Sequence, residues 1–122
     1  EDIVIATLRA IVYQSLDLIE LMSQNLDIEL KCLKVDGGMA QNNWFCQELA
    51  NMLQIPIQRP HDVETTARGV FYLAAFGLGW FESLDKIGHL WQMEHQFEPQ
   101  LSHDIRTERY GRWRHALSLY GL

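Results

Sequence analysis

At 122 residues and 48% hydrophobic content, the chain has the size of one domain and can bury a modest core. A formal charge of -6 argues against nucleic acid or an anionic membrane surface as partner. There is no apolar run of about 18 residues to span a membrane and no basic-then-apolar leader. Cys32 falls in an apolar strand and Cys46 in the next helix. A buried, reduced pair fits them better than a disulfide, and so does a cytoplasmic setting. Opening on Glu1 rather than Met, the chain reads as an excerpt of a longer protein.

Asp2 is a candidate N-cap for a first helix, which Ile5, Leu8, Val12, Ser15, Ile19 and Met22 carry to about Asn25. Arg9, Gln14, Asp17 and Glu20 mark its polar side, so the apolar stripe is read as core. Leu30 to Val35 reads as a strand that stops at Gly37-Gly38, and a second helix follows from about Gln41 to Gln54. Ile55-Pro56-Ile57 is expected as a short second strand, with Pro56 suited to its start. Arg59 to Asp62 reads as a loop, with Asp62 a candidate cap for a third helix from about Glu64 to Phe76. Ala67, Val70, Phe71, Ala74 and Ala75 form that helix's apolar face. Gly69 inside it costs about 1 kcal/mol against alanine and is best tolerated where another backbone packs close.

Ser83 to Leu90 reads as a short helix, Trp91 to Pro99 as extended, and Asp104 to Leu119 as a last helix. Arg106, Arg109, Arg112 and Arg114 are interleaved with Asp104 and Glu108, which suggests a solvated, ion-paired face. The five histidines form no H-x-x-x-H pair and the cysteines no Cys-x-x-Cys, so no metal site is expected. Two clear strands make a sheet that needs more strands to be stable.

The chemistry concentrates at Asp36-Gly37-Gly38-Met39-Ala40-Gln41-Asn42-Asn43. A strand that breaks at a double glycine and feeds a helix exposes backbone to close approach. The helix start turns unpaired N–H groups and a positive dipole end toward the same spot, which suits phosphate. Spacing alone leaves two readings open, a nucleotide site and a tight strand–helix turn with glycine for sterics. The sequence has neither a GxGxxG fingerprint nor a GxxxxGK[ST] phosphate loop.

Val35 to Asn43, Val-Asp-Gly-Gly-Met-Ala-Gln-Asn-Asn, resembles the adenosine-side motif of glycerol kinases. These are FGGY carbohydrate kinases within the actin/hexokinase-type ATPase superfamily. Ala6-Thr7-Leu8 with Tyr13-Gln14 resembles the family's preceding helix. Arg59-Pro60, Glu64-Thr65-Thr66-Ala67, Gly69 and Tyr72-Leu73-Ala74 resemble the segment that follows. Gly79-Trp80-Phe81, Leu84-Asp85, Phe97-x-Pro99 and Tyr110-x-x-Trp113 are similar to its tail, so the likeness covers nearly the whole chain in order.

The resemblance implies an α/β fold: a partial ribonuclease H-like domain of the actin/hexokinase type, with helices flanking a small incomplete sheet. Residues 1–122 would be the C-terminal portion of the C-terminal nucleotide-binding domain, the N-terminal domain lying outside the chain. It implies ATP and glycerol as substrates of the full-length enzyme, Mg²⁺ as cofactor, and a homodimer or homotetramer. Gly38 matches the glycine whose backbone lies against the nucleotide, Asn42 the asparagine that contacts it, and Gly37 shapes the turn. A helix-cap role for Asn42 is compatible with this. Asp36 is read as holding the loop, and Glu64, Thr65 and Thr66 as supporting or capping residues. No catalytic residue and no Mg²⁺ ligand is assigned to this chain. The family has an acid at Arg9, read as a surface exchange, and leucine at Arg68. A buried Arg68 must snorkel, pair with an acid such as Glu64, or reach a phosphate. A kinase for another polyol or sugar, and a non-catalytic nucleotide- or partner-binding module, stay open beside glycerol kinase.

Overall fold

The computed structural model describes residues 2–26, 30–62 and 64–121. Helix α1 spans Asp2–Leu26, close to the length its apolar spacing predicts, and buries Val12 and Leu16. Asp2 lies within the helix's first turn, where a carboxylate suits the positive dipole end, rather than ahead of it as a cap. The strand expected from Leu30 shrinks to β1, Leu33–Lys34. The second helix does not begin at Gln41. Gly38–Gln41 forms a 3₁₀ turn, Asn42 caps, and α2 runs Asn43–Leu53. Gln54 ends it in the left-handed region (φ 57°) and donates to the carbonyls of Asn51 (2.7 Å) and Leu101 (3.1 Å).

The second strand, β2, is Ile57–Pro60, so Arg59 and Pro60 belong to the sheet and not to a loop. Ile57 and Arg59 alternate inward along it. An arginine there conceals a core-facing position, because its charge suggests solvent. Pro60 sits at a register irregularity at the strand's end, where a missing N–H does little harm. A third strand, β3 (Met93–Phe97), forms where the sequence reads only as extended. The sheet order is β1-β2-β3, with β1 parallel and β3 antiparallel to β2. Leu33 N–H donates to the Pro56 carbonyl (2.9 Å) and Val35 N–H to that of Gln58 (3.0 Å). Ile57 lies opposite both Leu33 and Phe97.

Helix α2 lies at the centre of the core. Phe45, Cys46, Leu49, Ala50 and Met52 are buried against Val12 and Leu16 of α1, Ile57, Phe97 and Tyr110. Helices α3 (Thr65–Gly77) and α4 (Leu84–Gly88) follow, the latter capped by the Ser83 hydroxyl. Of the five apolar positions expected on α3, only Ala75 is buried, while Val70 and Phe71 are 65% and 55% exposed. A Cβ at Gly69 would meet no described atom within 4 Å, so the close backbone expected there is absent among the described residues. Arg68 pairs with Asp62 (3.5 Å) and donates to the Tyr72 hydroxyl (2.8 Å), not to Glu64.

Helix α5, His103–Leu119, clasps α1 and α2 through the arginines expected to be solvated. Arg106 reaches Glu20 (2.8 Å) and the Met52 carbonyl (3.0 Å), and Arg114 approaches Asp17 (3.5 Å). Only Arg112, paired with Glu108, keeps the expected within-helix partner. Trp113 Nε1 donates to Asp17 (2.9 Å), as does the Tyr110 hydroxyl. Arg9 is not a simple surface exchange: it donates to Glu48 Oε1 (3.0 Å), a nearly buried carboxylate that Arg109 also reaches (3.1 Å). Both cysteines are free. No helix among the described residues is long and apolar enough to cross a membrane.

Candidate functional site

Helix α2 carries the chain from β1 to β2, and the two strands run parallel. In open α/β sheets of this kind, ligands lodge outside the carboxyl ends of the strands. Gly37-Gly38 occupies that place, between β1 and the 3₁₀ turn. Gly37 adopts φ 81°, ψ 178°, a region essentially confined to glycine, so the turn requires glycine there. Gly38 has no positive φ, and a Cβ on it would meet nothing within 4 Å. Neither backbone strain nor a neighbour in this chain demands glycine at Gly38, and the open space in front of it is where a ligand would come close.

The turn is hydrogen-bonded within itself: Ala40 N–H donates to the Gly37 carbonyl (3.1 Å) and Asn42 N–H to that of Met39 (3.0 Å). Asn42 is exposed, and its Oδ1 accepts from Phe45 N–H (3.2 Å), so the capping role is real. Among the described residues its Nδ2 has no acceptor, which leaves that amide available at the mouth. Gly37, Gly38 and Asn42 thus lie together on one exposed edge.

Two ties fix this edge to the rest of the fold. The Thr65 hydroxyl donates to Asp36 Oδ2, which holds the end of β1 against the start of α3. Asp36 is therefore engaged in the structural contact the sequence suggests. Asp62, rather than Glu64, serves the helix start, its Oδ1 accepting Glu64 N–H (3.0 Å). The second tie is Arg59, which sequence reading places in a loop; it donates to the Ala40 carbonyl (2.9 Å) and Asn43 Oδ1 (2.8 Å). Cys46 Sγ donates to the same Ala40 carbonyl (3.2 Å). Burial pushes the Cys46 thiol up, with Arg59 working the other way, so this cysteine is a packed, protonated thiol rather than a nucleophile.

On the α1 side the turn borders a cavity of about 490 Å³, lined by Leu18, Ile19 and Met22 of α1 and by Lys34, Asp36 and Met39. Its walls are mostly apolar. Among the described residues no three His, Cys, Asp or Glu side chains are grouped to hold a metal ion. The site offers backbone, one amide and an apolar flank. That inventory suits the flat, uncharged part of a nucleotide better than its phosphates, and supplies no acid or base.

The family model for the "FGGY family of carbohydrate kinases, C-terminal domain" matches residues 1–78. Glycerol kinase 2 of Thermotoga maritima is 40% identical over 118 residues, covering 97% of this chain and 24% of that protein. A glycerol kinase of Deinococcus radiodurans is 42% identical over 113 residues, 93% of this chain and 23% of that protein. The chain thus spans about a quarter of the length of the relatives it matches. Among solved structures, the Plasmodium falciparum glycerol kinase with ADP aligns at a TM-score of 0.78 and 25% identity, over 91% of this chain and 22% of that one. The ligand-bound xylulose kinase from Lactobacillus acidophilus aligns at 0.74 and 20% identity, over 93% and 24%, which shows a shared fold. The α/β arrangement of helices flanking a small sheet is that of these actin/hexokinase-like kinases, and the chain belongs to the FGGY family of carbohydrate kinases.

Proposed function

We propose that residues 1–122 form the C-terminal portion of the nucleotide-binding domain of an ATP-dependent glycerol kinase, which converts glycerol and ATP to sn-glycerol 3-phosphate and ADP. The observation that carries this is the Gly37-Gly38 turn at the carboxyl end of a parallel strand pair, with Asn42 at its mouth. It occurs in a chain about 40% identical to glycerol kinases over nearly its full length. In this reading the backbone at Gly38 lies against the adenosine, Asn42 Nδ2 donates to it, and Gly37 sets the turn. Phosphoryl transfer depends on positioning and on electrostatic stabilisation of the transferred group. This chain supplies positioning of the nucleotide. The carboxylate base, the glycerol pocket and the Mg²⁺ ligands belong to other parts of the full-length protein. The same reading makes that protein cytoplasmic, in keeping with two free thiols, and a homodimer or homotetramer, as the family resemblance implies.

The test is ADP release by the full-length protein with ATP, Mg²⁺ and a panel of glycerol, xylulose and gluconate, alongside the 122-residue chain by itself. Turnover with glycerol by the full-length protein and none by the isolated chain is expected. Preference for a sugar would move the assignment to another FGGY kinase, and nucleotide binding without turnover on any polyol or sugar to a non-catalytic module.

A further inference from the structure

Arg59 sits on β2 with its side chain 10% exposed and three acceptors around it. Nη1 donates to the Ala40 carbonyl (2.9 Å) and to Asn43 Oδ1 (2.8 Å), and Nε to Glu94 Oε2 (2.7 Å). The guanidinium carbon also lies 5.4 Å from the centre of the Phe97 ring. The acceptors come from three places: the 3₁₀ turn, the first residue of α2, and β3. One planar fork therefore sets the spacing between the sheet and the turn that carries Gly38 and Asn42. A buried ion pair is a poor way to gain stability, since apolar residues of the same volume often serve as well or better. It is an effective way to fix a geometry, because the rigid fork accepts its partners only at set angles. The second donor to the Ala40 carbonyl, Cys46, is a weak one and reaches neither Asn43 nor β3 in its place.

We propose that Arg59 is a positioning residue for the nucleotide, acting through Ala40 and Asn43 to hold the Gly37–Asn42 turn where Gly38 and Asn42 meet the adenosine. The inference rests on the reading of that turn as the adenosine side of the cleft. Glu94, half-exposed on β3, neutralises the guanidinium and fixes its roll. Lysine at the position has a single ammonium and cannot serve the turn carbonyl, the Asn43 amide and the carboxylate together.

The experiment uses the full-length protein and four measurements: KM for ATP, KM for glycerol, melting temperature without nucleotide, and titration with fluorescent N-methylanthraniloyl-ADP. Arg59→Met is expected to raise KM for ATP and weaken the ADP analogue by about tenfold, the scale on which small misplacements of binding groups act. KM for glycerol should stay within roughly twofold, since lost nucleotide positioning is not lost glycerol binding. Arg59→Lys should recover part of the loss. Asn43→Ala should show a smaller loss that does not add to that of Arg59→Met, because both act through one contact. Equal changes in both KM values, or a lower melting temperature with KM for ATP unchanged, would overturn the inference. If Arg59→Met does not fold, Asn43→Ala decides alone, and wild-type KM for ATP in that variant overturns it. A wild-type protein that binds no ADP analogue would remove the adenosine-side reading itself. A wild-type protein that binds it while all three variants match it would remove only the role of Arg59.

Discussion

Replacing the two glycines of the turn one at a time separates conformation from approach. Gly37 sits at φ 81°, ψ 178°, where a non-glycine residue costs about 1–3 kcal/mol. An added Cβ meets nothing within 4 Å, so no clash adds to that strain. Alanine also restricts the unfolded chain, which offsets about 0.4–1 kcal/mol. The net loss for Gly37→Ala is therefore about 1–2 kcal/mol. Gly38 is outside the positive-φ region and faces open space, so Gly38→Val should alter stability by no more than about 0.5 kcal/mol. Its effect should fall on ATP: the side chain fills the space the nucleotide needs, raising KM for ATP while KM for glycerol changes little. The assays are urea unfolding of the full-length protein without nucleotide and initial rates with each substrate varied. The reasoning is refuted if Gly38→Val unfolds as early as Gly37→Ala, or if it leaves KM for ATP at the wild-type value.

Three further outcomes are expected. Asn42→Ala should cost about 0.5–2 kcal/mol of stability through the lost cap to Phe45 N–H, with a milder rise in KM for ATP than Gly38→Val; an unchanged unfolding midpoint would show the cap to be dispensable. Arg9→Ala and Arg109→Ala should each be tolerated at about 1 kcal/mol because the other arginine still serves Glu48, whereas the double variant leaves a nearly buried carboxylate alone and should cost about 3–5 kcal/mol; simple additivity in urea unfolding would exclude the shared clamp. Burial first, and then the bond to Asp17, pushes the Tyr110 hydroxyl from its ordinary 10.0 up to about 12, so its proton is held more tightly folded than unfolded. Its contribution is complete below pH 10 and is lost as pH rises toward 12, and Tyr110→Phe should remove that part of the alkaline fall in the unfolding midpoint.

The helices were legible in the residues because each carries its own signal. Apolar spacing through Val12, Ile19 and Met22 predicts α1 almost to its end, and Ser83 announces α4 as a cap. The turn was legible for the same local reason, since a double glycine after an apolar run and before an amide cap restricts the backbone by itself. The sheet was not, because strand limits depend on the partner. β1 is cut to two residues by its register with β2, and β3 exists because Gln96 and Phe97 find Gln58 and Ile57 across the ladder. The interior polar contacts were equally invisible. Arg9, Arg59 and Arg109 read as surface charges until Glu48, Glu94 and the Ala40 carbonyl, tens of residues away, are brought within 3.1 Å. A charged side chain enters a core only where its partners already wait, and that placement is set by tertiary packing, which local sequence does not encode.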